Sequence, residues 1–160
     1  KERENGKITN TSQLANLVRS VLPRNFKTDP ATRTFQAIRM AVNDELNELS
    51  KGLNISEKTL KANGILAVIT FHSIEDRLVK EFGKMKSGRV SRGSRYGPDT
   101  EASEPTLLPI NNRVRKPTQK EIDENARARS GKLRVFRKTG VASSIECKPL
   151  YYPKIELGLN

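Results

Sequence analysis

The run Ile65–Phe71 constrains the fold of this chain more than any other segment. It is mostly apolar and partly β-branched, it follows an Asn63-Gly64 turn, and it ends abruptly in the polar segment His72–Asp76. A near-continuous apolar run of this length is typical of a strand buried on both faces, as in a parallel sheet. Ser73 and Asp76 form a capping-box pattern, so the sequence predicts that a helix begins there.

The segment His72–Asp76 is a candidate site because of its place after this strand. In open α/β sheets, ligands bind at the carboxyl ends of the strands, where the backbone turns into the next helix. His, Ser, Glu and Asp side chains at that place can read a polar substrate or accept a proton. The alternative is ordinary helix capping by Ser73 and Asp76, with His72 a satisfied loop residue. Spacing alone leaves both interpretations open.

Two amphipathic helices are predicted before the strand. The first begins at Asn10–Gln13 and has one apolar face, ended by Pro23: Leu14, Leu17, Val18, Val21 and Leu22. The second runs from about Thr32 to Leu53 and has the apolar stripe Phe35, Ile38, Val42, Leu46, Leu49 and Leu53. Beside it lies a polar stripe of Thr32, Gln36, Arg39, Asn43 and Asn47. This polar stripe is interpreted either as a surface for a polar ligand or as internal helix-to-loop hydrogen bonding.

The chain after the strand is more basic and less regular. A helix is predicted over about residues 74–82, ending at Gly83. Residues 84–117 lose periodicity and are interpreted either as a basic arm attracted to phosphate or as a solvated linker. Thr118 and Glu121 form another capping box, which opens a short helix to about Asn125. The segment Leu133–Arg137 alternates loosely and is interpreted as an outer strand. Helix, strand and helix in succession indicate an α/β class.

The charge of the chain points to a polyanionic partner. The net charge is +12, with an excess of +3 over residues 1–83 and +9 over residues 84–160. Nucleic acid is the simplest such partner. An anionic membrane surface is the weaker alternative, because the basic stretches lack an apolar face. No run approaches the roughly 18 apolar residues of a membrane span. With one cysteine, Cys147, and one histidine, the chain has no internal disulfide and no zinc site of the usual kind.

Three blocks of sequence together are more specific than any one motif. They are Thr32–Arg39 with Val42–Leu46, Phe71–Arg77 with Val79–Lys80, and Asn125–Ser130 with Lys132–Arg134. In this order they resemble the C-terminal half of the small-subunit rRNA (cytosine-N4)-methyltransferases of the RsmH/MraW type, mitochondrial relatives included. The resemblance covers roughly residues 8–138.

The resemblance implies a Rossmann-like class I methyltransferase sheet with the end of a helical insertion domain. Residues 65–71 then resemble the fifth strand, and residues 132–137 one of the closing strands. We expect the insertion domain to end within residues 1–28. The core would follow in residues 29–83, then the basic loop in 84–117, the closing helix and strand in 118–139, and a tail in 140–160.

The resemblance and the chemistry of amine methylation together suggest site residues. The candidates for catalysis are His72, Ser73 and Glu75. The candidates for substrate binding are Phe71, Asp76, Arg33, Gln36, Arg39 and Asn43. The candidates for RNA binding are Arg89, Arg92, Arg95, Arg127, Arg129, Lys132 and Arg134. Phe71 would form a stacking wall for the base, and Asp76 would cap the helix or pair with an arginine such as Arg33 or Arg39.

Two departures from the family pattern concern the cofactor and one turn. The chain contains no Gly-x-Gly, so we expect S-adenosyl-L-methionine to be bound by an N-terminal half that is absent from this sequence. Ala126 stands where the family usually has proline.

Two hypotheses follow from the resemblance. The chain is the substrate-side part of an active rRNA methyltransferase, or it belongs to a non-catalytic relative that binds rRNA as an assembly factor. The expected partner in either case is small-subunit rRNA or the assembling small subunit, and no membrane. A homodimer stays open, as does the choice between a bacterial cytoplasm and a mitochondrial matrix.

Overall fold

The computed structural model describes residues 6–22, 29–88, 104–111 and 113–142. These residues form two units, one extending to Glu45 and the other beginning at Leu46. Within the described ranges, no helix is both long enough and apolar enough to cross a lipid bilayer. The domain boundaries expected from the sequence stay predictions.

The first unit contains two helices, α1 (Thr11–Val21) and α2 (Pro30–Val42). The predicted start of α1 is confirmed, because the Asn10 side chain accepts a hydrogen bond from the backbone N–H of Gln13 at 2.9 Å. Asp29 caps α2 in the same way and also pairs with Arg19 near the end of α1. The apolar face predicted for α1 is only partly covered, since the Val21 side chain is 74% exposed.

A break separates α2 from α3 (Glu45–Thr59), so the single helix predicted from Thr32 to Leu53 is wrong. Asp44 has a φ of 52°, a left-handed conformation that Asp tolerates better than most residues. The guanidinium of Arg39 holds the Glu45 carboxylate through two hydrogen bonds of 2.8 and 3.0 Å across the break. The predicted apolar stripe is therefore split: Leu46 and Leu53 are buried, whereas Val42 is 60% exposed.

The second unit is built on a three-stranded sheet in the order β1-β3-β2. The strands are β1 (Ile65–Thr70), β2 (Leu107–Pro109) and β3 (Lys132–Lys138). Both pairings are antiparallel, and in the first of them Thr70 lies opposite Lys132. β2 lies within the segment 84–117, where the sequence predicted no regular structure.

Two predictions about this sheet are wrong. β1 is not buried on both faces, because Ile65 and Ile69 on one face are 49% and 62% exposed, while Thr70 on the other is buried. β3 is the central strand of the described sheet, not an outer one. This central strand can carry charged residues because ion pairs neutralise Arg134 and Lys138 on the covered face.

α4 (Ser73–Lys86) covers that face. Leu78, Val79 and Phe82 are buried, and the rings of Phe82 and Phe136 meet edge to face with centroids 6.5 Å apart. The predicted end of this helix at Gly83 is wrong, since the helix continues to Lys86. Gly83 instead makes room for β3: a Cβ atom there would lie 2.3 Å from Cε1 of Phe136.

A buried ionic cluster joins the second unit internally. The Glu57 side chain is fully buried, and its carboxylate lies 2.7 Å from Nζ of Lys86 and 3.7 Å from Nζ of Lys138. The Thr106 hydroxyl donates a hydrogen bond to the same carboxylate. The cluster thus connects α3, α4 and β3 with the residue that precedes β2.

The predicted short helix is confirmed as α5 (Gln119–Glu124). The Thr118 hydroxyl accepts a hydrogen bond from the backbone N–H of Glu121 at 3.3 Å, as the capping pattern predicts. A 3₁₀ helix, Ala126–Ser130, follows directly and leads into β3.

Candidate active site

The turn from β1 into α4 is closed by reciprocal hydrogen bonds between His72 and Glu75. Nδ1 of His72 accepts from the backbone N–H of Glu75 at 3.3 Å. In return, Oε2 of Glu75 accepts from the backbone N–H groups of Phe71 and His72 at 3.0 and 3.4 Å. This capping box lies one residue before the predicted Ser73–Asp76 box, which is therefore wrong. His72 can act as the cap because its backbone is extended, with φ −135° and ψ 163°.

The hydrogen bond to Nδ1 determines what the His72 ring can offer a ligand. A nitrogen that accepts has no proton, so the neutral ring carries its N–H at Nε2. Nε2 is buried and has no hydrogen-bond partner among the described residues. It lies 3.2 Å from Oε1 of Glu75, with poor alignment for a hydrogen bond. The turn therefore holds an N–H donor and a carboxylate acceptor side by side.

Asp76 pairs with an arginine, which is one of the two roles predicted for it. Its carboxylate accepts from Nε of Arg134 at 2.8 Å and from Nζ of Lys132 at 3.2 Å. Burial opposes ionisation of Asp76, but hydrogen bonds from Arg134 and Lys132, and their charges, outweigh it and lower the pKa of the carboxyl below its usual value. Asp76 thus joins α4 to β3.

The predicted RNA-binding residues fall into three groups. Arg134 and Lys132 are ion-pair partners of Asp76 with 18% and 28% of their side chains exposed. Arg127 and Arg129 are exposed on the 3₁₀ helix. The remaining three, Arg89, Arg92 and Arg95, lie outside the described residues.

The substrate residues predicted on α2 lie in the first unit. Arg39 and Asn43 both bind the Glu45 carboxylate, Asn43 through its side-chain amide at 3.2 Å. These two residues therefore follow the second interpretation of the polar stripe, which was internal hydrogen bonding. Gln36 is half-buried and Arg33 is exposed on the same helix. Ser73 is exposed in the first turn of α4.

An open cavity of about 550 Å³ lies beside the turn, between β1 and the 3₁₀ helix. Its lining includes Phe71, Arg127 and Lys132, which the sequence predicted as substrate- or RNA-binding residues. It also includes Arg115 and Lys116, which sequence reasoning missed. These two residues could have been suspected from the sequence, because they directly precede Pro117 and the Thr118 cap of α5.

Comparison with known proteins shows the family. The model of the MraW methylase family matches residues 1–139. The chain belongs to this family. It is 48% identical over 134 residues to a protein of Dinoroseobacter shibae named ribosomal RNA small subunit methyltransferase H, covering 82% of this chain and 40% of that protein. Proteins of the same name from Paramagnetospirillum magneticum and Jannaschia sp. are 48% and 42% identical over 132 and 158 residues, covering 81% and 97% of this chain and 42% and 48% of theirs.

The predicted resemblance to RsmH/MraW methyltransferases is thereby confirmed. This MraW family member spans less than half the length of the relatives named above, since the matched region covers 40% to 48% of each of them. A methylase requires a methyl donor, and the β1–α4 turn does not fit one. Its N–H groups at Phe71, His72 and Glu75 bind the turn's own side chains, so they are not available to a ligand.

Proposed function

We propose that the protein carries out S-adenosylmethionine-dependent methylation of the exocyclic N4 amine of a cytidine in small-subunit rRNA, with this chain forming the substrate side. The relatives' names support an RNA substrate and a methyl transfer. The single observation that carries the proposal for this chain is the pairing of His72 Nε2 with Glu75 Oε1 at 3.2 Å, at the carboxyl end of β1.

The donor and acceptor of this pair match the edge of a cytosine. The N4 amine of cytosine donates and the neighbouring ring nitrogen accepts, so the amine would face Glu75 Oε1 and the ring nitrogen would face His72 Nε2–H. Because Nε2 is buried in this structure, a base reaches it only if the side chains that cover it move aside. The base must leave its stack to be read in this way. The chain's residues would then orient the amine, and the Glu75 carboxylate would accept the proton that it loses.

The sheet supports a Rossmann-like fold for the whole protein. β1 and β2 both run antiparallel to β3 and therefore parallel to each other. Large parallel sheets commonly carry an antiparallel strand near one edge. We take the described sheet as that end of a larger sheet, with the methyl donor bound by residues outside this chain. The named relatives are bacterial, which favours a bacterial cytoplasm over a mitochondrial matrix as the compartment.

Mass spectrometry of small-subunit rRNA nucleosides from cells with and without the gene tests this function. Loss of N4-methylcytidine, and its recovery with the unaltered gene but not with Glu75→Gln, is expected. The matched control is Glu48→Gln, which changes an exposed carboxylate paired with Lys51 on α3 and should restore the nucleoside fully. Adenine presents a similar donor–acceptor edge, and loss of a methyladenosine instead would overturn the cytidine assignment. An unchanged nucleoside profile with defective subunit assembly would support the non-catalytic alternative.

A further inference from the structure

The cavity beside the β1–α4 turn has the position expected of a substrate subsite. Because Thr70 lies opposite Lys132, the start of β3 and the 3₁₀ helix before it flank the carboxyl end of β1. Gly131 lies close to Phe71, since a Cβ atom there would be 3.8 Å from Cε1 of the ring. Neither His72 nor Glu75 lines the cavity. The cavity is therefore next to the proposed reacting position and separate from it.

The lining combines an apolar surface with positive charge. Ile69 and Phe71 in the lining are 62% and 56% exposed among the described residues. Four cationic residues, Arg115, Lys116, Arg127 and Lys132, line the same cavity, against the one acidic residue Glu121. An exposed aromatic ring surrounded by cations is the arrangement with which proteins bind single-stranded nucleic acid. Lys132 already pairs with Asp76, but a purely apolar partner would cover Arg115, Lys116 and Arg127 without offering them a negative charge.

We propose that this cavity binds one unpaired RNA nucleotide adjacent to the target cytidine, with its base stacked on Phe71 and its phosphate held by Arg127 and Arg115. The inference rests on the proposed function, because it places the target cytidine at His72 and Glu75. A volume of about 550 Å³ lies within the range of sites that hold small-molecule ligands, which is about 300–1,000 Å³.

Binding of a short single-stranded RNA to the full-length gene product, measured without methyl donor, tests the subsite. The RNA carries one cytidine, and matched RNAs have an abasic site on one or the other side of it. Phe71→Ala should weaken binding of the intact RNA about 5- to 150-fold, the range for loss of one stacked base. It should have little further effect on one of the two abasic RNAs. Ile55→Ala, which removes a 63% exposed apolar side chain of α3 outside the cavity, is the control and should bind like the unaltered protein.

Two further variants separate RNA from other occupants. Phe71→Leu keeps an apolar side chain but no aromatic face, so it should lose RNA affinity and keep its thermal unfolding temperature. If Phe71→Leu binds RNA normally, the inference is overturned. If both Phe71 variants bind RNA normally and also unfold at a lower temperature, a protein segment covers the cavity instead. Arg127→Gln should reduce the slope of log binding constant against log salt concentration by about 0.7. In the binding measurement with abasic RNAs, the control Arg113→Gln should respond like the unaltered protein.

The outcome for this subsite is distinguishable from that of the proposed function. If N4-methylcytidine depends on the gene but both abasic RNAs respond to Phe71→Ala like the intact RNA, the subsite is wrong and the function stands. If the nucleoside profile is unchanged but one abasic RNA is insensitive to Phe71→Ala, the nucleotide subsite stands without the methylation.

Discussion

Oδ1 of Asp76 accepts a hydrogen bond from Nε of Arg134 at 2.8 Å, which joins the first turn of α4 to the central strand β3. The side chains are 14% and 18% exposed, so solvent weakens this pair less than it would a surface pair. The contact holds the turn that carries His72 and Glu75 against the sheet. The stability of the fold and the geometry of the candidate site therefore share one ion pair.

Replacement of Asp76 should lower stability in a pH-dependent way. We expect Asp76→Asn to reduce the free energy of unfolding by about 1–3 kcal/mol at pH 7. The folded-state pKa lies below the unfolded value of about 3.9, so this contribution is complete above pH 5 or so and is lost as the pH falls through the folded pKa. Thermal unfolding of both proteins across pH 2–7 measures it. A difference that persists undiminished in acid would contradict the assignment, and the exposed Asp123→Asn is the control.

A change at His72 can separate helix capping from substrate contact. Asn is among the best capping residues and can accept from the Glu75 N–H, but it has no group in the place of Nε2–H. His72→Asn should keep the unfolding temperature within a few degrees and reduce methyl transfer by at least tenfold. Normal transfer by a stable His72→Asn protein would limit His72 to capping. His72→Ala, which lacks a cap, should lower the free energy of unfolding by about 1 kcal/mol as well.

Two glycines in helices should respond in opposite ways to alanine. Gly83→Ala places a Cβ atom 2.3 Å from the Phe136 ring, so it should cost about 1–3 kcal/mol of stability by overpacking. Gly52→Ala on α3 meets nothing within 4 Å and should add about 0.5–1 kcal/mol. Denaturant unfolding of both variants checks the pair. Equal effects would mean that the Gly83–Phe136 approach is not what selects glycine there.

The buried cluster around Glu57 should be sensitive to loss of its carboxylate. Glu57→Gln removes the buried negative charge that lies beside the ammonium groups of Lys86 and Lys138, and should destabilise by about 3–5 kcal/mol. The exposed control Glu48→Gln should cost less than about 1 kcal/mol. A companion change, Glu57→Gln with Lys86→Met, should recover part of the loss in the same unfolding measurement. No recovery would show that the cluster's charges are not the source of the loss.

Local patterns in the sequence determined much of the secondary structure. The Asn10 and Thr118 caps, the strand at Ile65–Thr70 and the helix after it all depend on residues within one or two turns of each other. The candidate site could be placed at His72–Asp76 for the same reason. Even so, the capping box was placed one residue late, because Ser73/Asp76 and His72/Glu75 have equal spacing and only the extended backbone of His72 distinguishes them.

Tertiary structure alone decided which residues meet across the chain. The antiparallel pairing of β1 with β3 places Thr70 opposite Lys132, and the approach of Arg134 and Lys132 supplies the partners of Asp76. No local period encodes these contacts, because a strand's neighbours and the burial of its faces depend on segments far away in sequence. Local sequence thus determined the starts of α1 and α5 and the position of β1, whereas packing determined which side chains meet at the candidate site.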